Sequence, residues 1–166
     1  MIETQRHKDT KEIAENPLSY KIIGAAIEVH RTLGGPGLLE SIYESALFRE
    51  LSLQGLKIRS QVPVEVNYKG TKIRDPLFLD LLVDDRVIVE VKAVEKENPI
   101  HEVQLLTYLR LTGLRLGLLI NFGAKQVKEG IKRVINCAIT NIGNTLFTHM
   151  GNTKNDFFPF KSPVQM

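Results

Sequence analysis

The chain has 166 residues and a mass of 18.7 kDa, a length that favours one domain. Its composition is 43% apolar and 25% charged, as in ordinary globular proteins, which excludes a mostly disordered chain, a collagen-like repeat and a coiled coil. The formal net charge of +3 is compatible with a polyanionic partner but does not by itself indicate one.

Three features of the sequence predict a cytoplasmic protein without a membrane anchor. Residues 1–16 are polar and charged, with no apolar core of a signal peptide. No apolar run approaches the length of a bilayer-spanning helix. Cys137 is the single cysteine, which excludes a disulfide framework and a multi-cysteine zinc site. We predict a polar tail over 1–16, one domain over 17–143 and a C-terminal tail over 144–166.

The periodicity of apolar residues predicts the elements in chain order. Helical spacing marks two helices that the GGPG turn at 34–37 separates, and alternation with a period of two then marks strands. Asn98-Pro99 and Gly113 bound a third helix. The predicted helices are 18–33, 39–53 and 100–112, and the predicted strands are 57–68, 72–83, 87–94 and 115–122. The tract 126–143 fits either a helix or a further strand.

The order of these elements predicts the fold. The first three strands have short connections, so they should be antiparallel. The third strand, its helix and the fourth strand form a right-handed crossover, which makes those two strands parallel. The fold class is therefore α/β, a single domain whose mixed sheet of about four strands is flanked by helices in an αβββαβ order.

The predicted hairpin over 77–94 carries charged residues in an otherwise apolar sequence. If Asp85 lies at its centre, Asp80 faces Glu90, and Lys92 shares their side of the strand. Directly opposed carboxylates destabilise a hairpin unless a cation compensates them. Mg²⁺ takes oxygen ligands and can activate water and polarise a phosphoryl oxygen. The alternative is a salt-bridged, solvated face with Lys92 as the counter-ion.

Residues in two predicted helices could join this site. His101, Gln104 and Tyr108 form one stripe on the helix that follows the Glu-x-Lys strand. Glu40 lies in the first turn of the second helix, where a third acid could help to hold a metal. A solvent-facing polar stripe and a favourable helix N-terminus are the respective alternatives. His30 lies on the apolar stripe of the first helix, so we expect a buried, hydrogen-bonded histidine there.

The combination of Asp80 with Glu90-Val91-Lys92 in this element order resembles the PD-(D/E)XK nuclease superfamily. Gln104 and Tyr108 match the Gln-x-x-x-Tyr element of some of its branches. The segment Gly37-Leu-Leu-Glu40-Ser-Ile-Tyr43 resembles the motif of the GxxExxY proteins, a small bacterial and archaeal family in that superfamily. The resemblance extends over about 18–136. One departure is that the proline of the superfamily motif is absent, because Asp80 follows Leu79.

The resemblance implies the roles of the site residues. Asp80 and Glu90 would be ligands of Mg²⁺ or Mn²⁺, with Glu40 and the Val91 carbonyl contributing, and Lys92 would be the catalytic lysine. Gln104 and Tyr108 would steady the site or contact the substrate.

A basic surface beside a carboxylate site suits a phosphate backbone. The tract 100–133 holds six basic and two acidic residues, so His101, Arg110 and Lys125 are candidate substrate contacts. An ordinary solvated surface is the alternative.

These observations predict a metal-dependent nuclease that hydrolyses phosphodiester bonds. They favour DNA over RNA as its substrate. A nucleic-acid or protein-binding module that keeps the nuclease fold without turnover is the main alternative. Such a module, or an enzyme of this size, could need a protein partner or a second copy of the chain. Hydrolysis of a small nucleotide is a third candidate function.

Overall fold

A computed structural model describes residues 15–73 and 75–137. The predicted C-terminal tail and residues 1–14 of the predicted N-terminal tail lie outside these ranges. The helices are α1 (Asn16–Thr32), α2 (Glu40–Leu53) and α3 (Ile100–Thr112), with a short 3₁₀ turn, η1 (Val127–Gly130). The strands are β1 (Ile58–Val64), β2 (Asn67–Tyr68), β3 (Thr71–Lys72), β4 (Leu77–Val83), β5 (Val87–Lys92), β6 (Leu116–Asn121) and β7 (Ile131–Ile135).

The main sheet is mixed and has five strands in the order β1-β4-β5-β6-β7. Among the strands within residues 15–73 and 75–137, only β5 and β6 pair in parallel, and α3 connects them, as the element order predicts. The α/β class is therefore confirmed. The predicted count of about four strands misses β7, which comes from the tract that fitted either a helix or a strand.

Two of the predicted strands are shorter than the alternation indicated. The end of the predicted strand 57–68 and the start of the predicted strand 72–83 lie outside the main sheet. They form part of a separate hairpin, β2–β3, with a turn at Lys69 and Gly70. Both turn residues have positive φ, 50° and 83°. Pairing of β1 with β4 begins only at Val64 and Leu77, because Pro76 lacks the N–H that would continue a ladder.

The two faces of the sheet are covered separately. One apolar cluster lies under α1 and α2 and includes Leu47, Leu81 and Phe122. The other lies under α3 and includes Leu79, Leu82 and Leu105. Because β5 is the central strand of the sheet, the Glu90 side chain lies in a low-dielectric environment rather than at a solvated edge.

The predicted apolar stripes of the first two helices are only partly buried. Helical spacing marks the first stripe as Ile22, Ile23, Ala26, Ile27 and Leu33, and the second as Leu39, Ile42, Tyr43, Ala46 and Leu47. Ile27, Leu33, Leu39 and Ile42 are exposed. Ile22, Ala26, Tyr43 and Leu47 are buried as predicted, and the buried faces also hold Leu18, Ala25 and Val29 of α1 and Leu51 of α2. Both helices contain enough apolar residues to offer two overlapping stripes, and packing on the sheet selects one.

The expectation of a buried, hydrogen-bonded histidine in α1 is confirmed. His30 is buried, and its Nε2 lies 3.2 Å from the Ala124 carbonyl oxygen. Among the residues described, no helix has the length and apolar character needed to cross a membrane.

Candidate active site

The β4–β5 hairpin has the register that the sequence predicted, with Leu81 opposite Val89 and Val83 opposite Val87. The ladder ends at Leu81, however, so the predicted direct pairing of Asp80 with Glu90 is wrong in detail. The Asp80 carboxylate Oδ2 instead accepts a hydrogen bond from the Val91 N–H at 2.9 Å. Asp80 is therefore held by its side chain at the point where the two strands separate.

A distortion in the neighbouring strand accompanies this separation. The register of β1 with β4 skips the pair Gln61 and Asp80, and Gln61 has a φ of 49°. A non-glycine residue rarely adopts this left-handed conformation, and such strained positions cluster at functional sites. The Gln61 amide donates a hydrogen bond to Glu44 Oε1 at 2.8 Å, which joins β1 to α2.

Glu90 is the most perturbed acid of the site. Its side chain is only 5% exposed, and Oε1 is buried without a hydrogen-bond partner among the described residues. Burial, with the negative charge of Asp80 as the second cause, raises the pKa of Glu90 to about 8. Lys92 opposes that rise but does not cancel it.

The Lys92 ammonium lies among three oxygens. Its Nζ donates to the Val91 carbonyl at 3.0 Å and lies 3.5 Å from Glu40 Oε1 and 3.9 Å from Glu90 Oε2. The Val91 peptide therefore contacts two site residues, because its N–H holds Asp80 and its carbonyl holds Lys92. If the Val91 carbonyl oxygen also bound a metal ion, as predicted, it would contact the ion and the Lys92 ammonium at the same time.

The loop before α2 explains how Glu40 reaches this lysine. Tyr43 is fully buried and stacks on Phe122 with ring centroids 4.6 Å apart. Its hydroxyl donates to the Gly35 carbonyl at 2.7 Å and accepts from the Leu38 N–H at 3.2 Å. Gly37, at a φ of 117°, lies in the same turn. The glycine and the tyrosine of the motif therefore fix the start of the helix that carries Glu40.

Sequence reasoning missed Glu44. This half-buried carboxylate lies one turn after Glu40, and burial followed by the charges of Asp80 and Glu40 raises its pKa. The hydrogen bond from Gln61 and the charge of Lys92 act in the opposite direction. Its spacing of four residues from Glu40 was the available signal, since such residues share a helix face.

The predicted stripe on α3 divides into two parts. His101 lies in a small cleft with Lys92 and Asn121, and its Nδ1 is buried without a partner among the described residues. Gln104 is exposed and donates to the hydroxyl of the buried Tyr108 at 2.6 Å. Neither Gln104 nor Tyr108 lines the cleft, so of these three residues only His101 shares it with Lys92.

The predicted basic tract is partly neutralised. Lys132 forms ion pairs with Glu97 at 2.7 Å and with Glu102 at 2.8 Å, and Arg133 donates to Asn16. Arg110, in the last turn of α3, and Lys125 are exposed. These two remain available as candidate contacts for a phosphate backbone.

The charges at this site fit a divalent cation. The buried, unpartnered Oε1 of Glu90 and its repulsion from Asp80 are both relieved by a positive ion. Within residues 15–73 and 75–137, no three His, Cys, Asp or Glu side chains form a ready-made metal cluster. Two carboxylates are nevertheless what Mg²⁺ usually takes from a protein when water and substrate phosphate complete its ligands.

Comparison with known protein families agrees with this geometry. The model of the PD-(D/E)XK nuclease superfamily matches residues 16–134, which include every described element but the last residue of β7. The chain belongs to the PD-(D/E)XK nuclease superfamily. Members of this superfamily generally use divalent metal ions. Searches of curated proteins and of solved structures found no match.

Proposed function

We propose that this protein is a metal-dependent nuclease that hydrolyses the phosphodiester bonds of DNA. The observation that carries the proposal is the buried Glu90 carboxylate, which has an unpartnered oxygen and lies beside Asp80 and Lys92. A buried carboxyl oxygen without a hydrogen-bond partner is costly in a folded protein, and so is ionising the group there. A catalytic site explains why such an arrangement is present in the middle of the sheet.

Asp80 and Glu90 would hold Mg²⁺ or Mn²⁺, with Glu40 contributing directly or through water. The ion would supply an activated water and polarise the phosphoryl oxygen. Lys92 brings a fixed positive charge to the point where negative charge develops on the phosphate. Its contacts with Glu40 and the Val91 carbonyl orient the ammonium before substrate arrives, so little reorganisation is needed during the reaction.

Within the superfamily we assign the chain to the GxxExxY proteins. The hydrogen bonds of Tyr43 to both sides of the turn before α2 support this assignment. They give the glycine, the glutamate and the tyrosine of Gly37–Tyr43 one shared role, the placement of Glu40 beside Lys92. His101, Arg110 and Lys125 are the proposed contacts with the phosphate backbone.

The test is cleavage of labelled single-stranded, double-stranded and circular DNA, and of RNA, with Mg²⁺ or Mn²⁺. We expect cutting that EDTA abolishes and that Glu90→Gln lowers by at least about 100-fold, since a metal's share of transition-state stabilisation is several kcal/mol. Glu28→Gln removes an exposed carboxylate of α1 that pairs with Arg31 and is the matched control.

The results of this test also decide between the nuclease and its main alternative. Cutting that survives both EDTA and Glu90→Gln would contradict the proposal. Metal binding without cutting of any substrate would favour a binding module, or an enzyme that needs a partner.

A further inference from the structure

The β2–β3 hairpin projects from the sheet beside the candidate active site. It is inserted between Val64 of β1 and Leu77 of β4, which face each other at the end of the ladder. Leu77 precedes Asp80 by three residues, or roughly 10 Å along an extended strand. Because β4 and β5 are antiparallel, this is also the end of the sheet at which β5 finishes with Lys92.

The hairpin exposes side chains that a purely structural turn does not need. Every residue over 67–73 is exposed, and Tyr68 retains 60% of its accessible surface and Ile73 49%. The hydrogen bond from the Ile73 N–H to the Val66 carbonyl and the pairing of Tyr68 with Thr71 place Tyr68 and Ile73 on one face. That face is therefore an aromatic and aliphatic surface open to solvent.

Basic side chains accompany this surface. Lys69 Nζ lies 5.4 Å from the centre of the Tyr68 ring. Lys72, on the other face, forms an ion pair with Glu65 in which both side chains are about half exposed. Such an exposed pair is weak, so a phosphate can compete with Glu65 for Lys72.

We propose that the β2–β3 hairpin binds single-stranded nucleic acid next to the scissile phosphate, a proposal that rests on the nuclease function. Basic side chains beside an exposed aromatic ring match the two parts of a single strand, its phosphates and its unpaired bases. A base stacked on Tyr68 brings its own phosphate toward Lys69. A duplex keeps its bases stacked on one another and offers this apolar face no partner.

The experiment measures binding of a fluorescent single-stranded oligonucleotide, and of its duplex, by anisotropy. All variants carry Glu90→Gln so that cleavage does not interfere. Tyr68→Ala should weaken single-strand binding about tenfold, which is within the range for loss of one stacked base, and should leave duplex binding unchanged. Lys69→Gln should reduce the slope of log affinity against log salt by roughly 0.7, as for one lost phosphate contact.

Two matched variants separate the hairpin from general surface effects. Tyr20→Ala removes an exposed ring on α1, and Lys57→Gln removes an exposed lysine at the opposite end of β1. Both should leave the single-strand affinity unchanged.

The hairpin proposal is overturned if Tyr68→Ala keeps the parental affinity, if single-strand and duplex binding weaken equally, or if the parent binds neither probe. Hairpin-dependent binding by a wild-type chain that cuts no substrate would instead overturn the nuclease proposal alone.

Discussion

Charged residues cluster at both ends of the β4–β5 hairpin, and the two clusters differ in environment. At the turn, Asp85 accepts hydrogen bonds from Lys57 and Arg59, all three are well exposed, and these contacts lower the pKa of Asp85. At the other end, burial raises the pKa of Glu90 to about 8. The same residue types thus form a solvated ion pair at one end and, at the other, a buried carboxyl that Lys92 compensates only in part.

A structural charge cluster differs from a reactive one in whether its own residues satisfy its charges. Asp85 has its charge satisfied by side chains that water also reaches, so nothing further is required there. Glu90 keeps a buried oxygen without a partner among the described residues although Lys92 lies 3.9 Å from its other oxygen. A bound cation would therefore stabilise the protein most at the end of the hairpin that holds Glu90.

The largest loss of cleavage is expected on removal of Lys92, and Lys57, which lies near the turn, is the matched comparison. Lys92→Met should lower cleavage by about 100-fold, the range for removal of one group that stabilises a developing charge, while the divalent ion still binds. Lys57→Met should leave the rate unchanged, because Lys57 pairs with Asp85 at the turn. Single-turnover rates with saturating metal measure both, and equal losses in the two variants would remove the distinction between the ends.

The next effect concerns the stability of the metal-free protein. The pKa of Glu90 is raised from 4.5 to about 8 in the folded state. The protonated carboxyl therefore favours folding below about pH 4.5, and this contribution is lost as the pH rises to 8.

Glu90→Gln keeps the neutral form at every pH, so it should be more stable than the wild type at pH 8. The expected difference is on the order of 2 kcal/mol, less than the full linkage value because the site relaxes. Urea unfolding in EDTA at pH 5 and pH 8 checks this, and a gap that does not grow with pH would show that Glu90 is ionised throughout.

A smaller effect is expected from the turn before α2. Tyr43→Phe keeps the ring stacked on Phe122 but removes the hydroxyl that contacts Gly35 and Leu38. The free energy of unfolding should fall by about 1 kcal/mol, and cleavage should fall with it because Glu40 loses its fixed position. Tyr20→Phe, on an exposed ring, is the control. A Tyr43→Phe protein that is destabilised but fully active would show that Glu40 is placed by other contacts.

The smallest effect is expected at the solvated end. Asp85→Asn should slightly lower stability at neutral pH, because the lowered pKa of Asp85 means that its ionised form favours folding. That contribution is lost as the pH falls below the ordinary value of 3.8, so the variant and the wild type should converge in acid. Denaturant midpoints at pH 7 and pH 3 measure it, and a constant difference would point to packing rather than charge.

Local patterns predicted the parts of the molecule that local chemistry determines. The third helix was predicted over 100–112 and is Ile100–Thr112, because a proline and a glycine mark its two ends. The register that brings Asp80 and Glu90 to one end followed from a single turn position. These two results were sufficient to propose the site residues.

Long-range contacts determined what the sequence could not predict. Gln61 has a positive φ and contacts Glu44, which lies 17 positions earlier in the chain. No local signal in the sequence indicates either feature. Lys132 belongs to the predicted basic tract 100–133, yet it pairs with Glu97 and Glu102 across the fold. The fifth strand, β7, forms because β6 offers an open edge to a short segment that alone favours neither helix nor strand.

Calorimetric titration of the protein with Mn²⁺ tests whether Asp80 and Glu90 bind a metal ion, and it does so without needing the correct substrate. We predict that the wild type and Asp85→Asn bind the ion and that Glu90→Gln does not. At pH 7, binding should also release a proton to the buffer, since Glu90 with a pKa of about 8 is mostly protonated in the free protein. Binding by Glu90→Gln with unchanged affinity would contradict the assignment of Asp80 and Glu90 as the metal site.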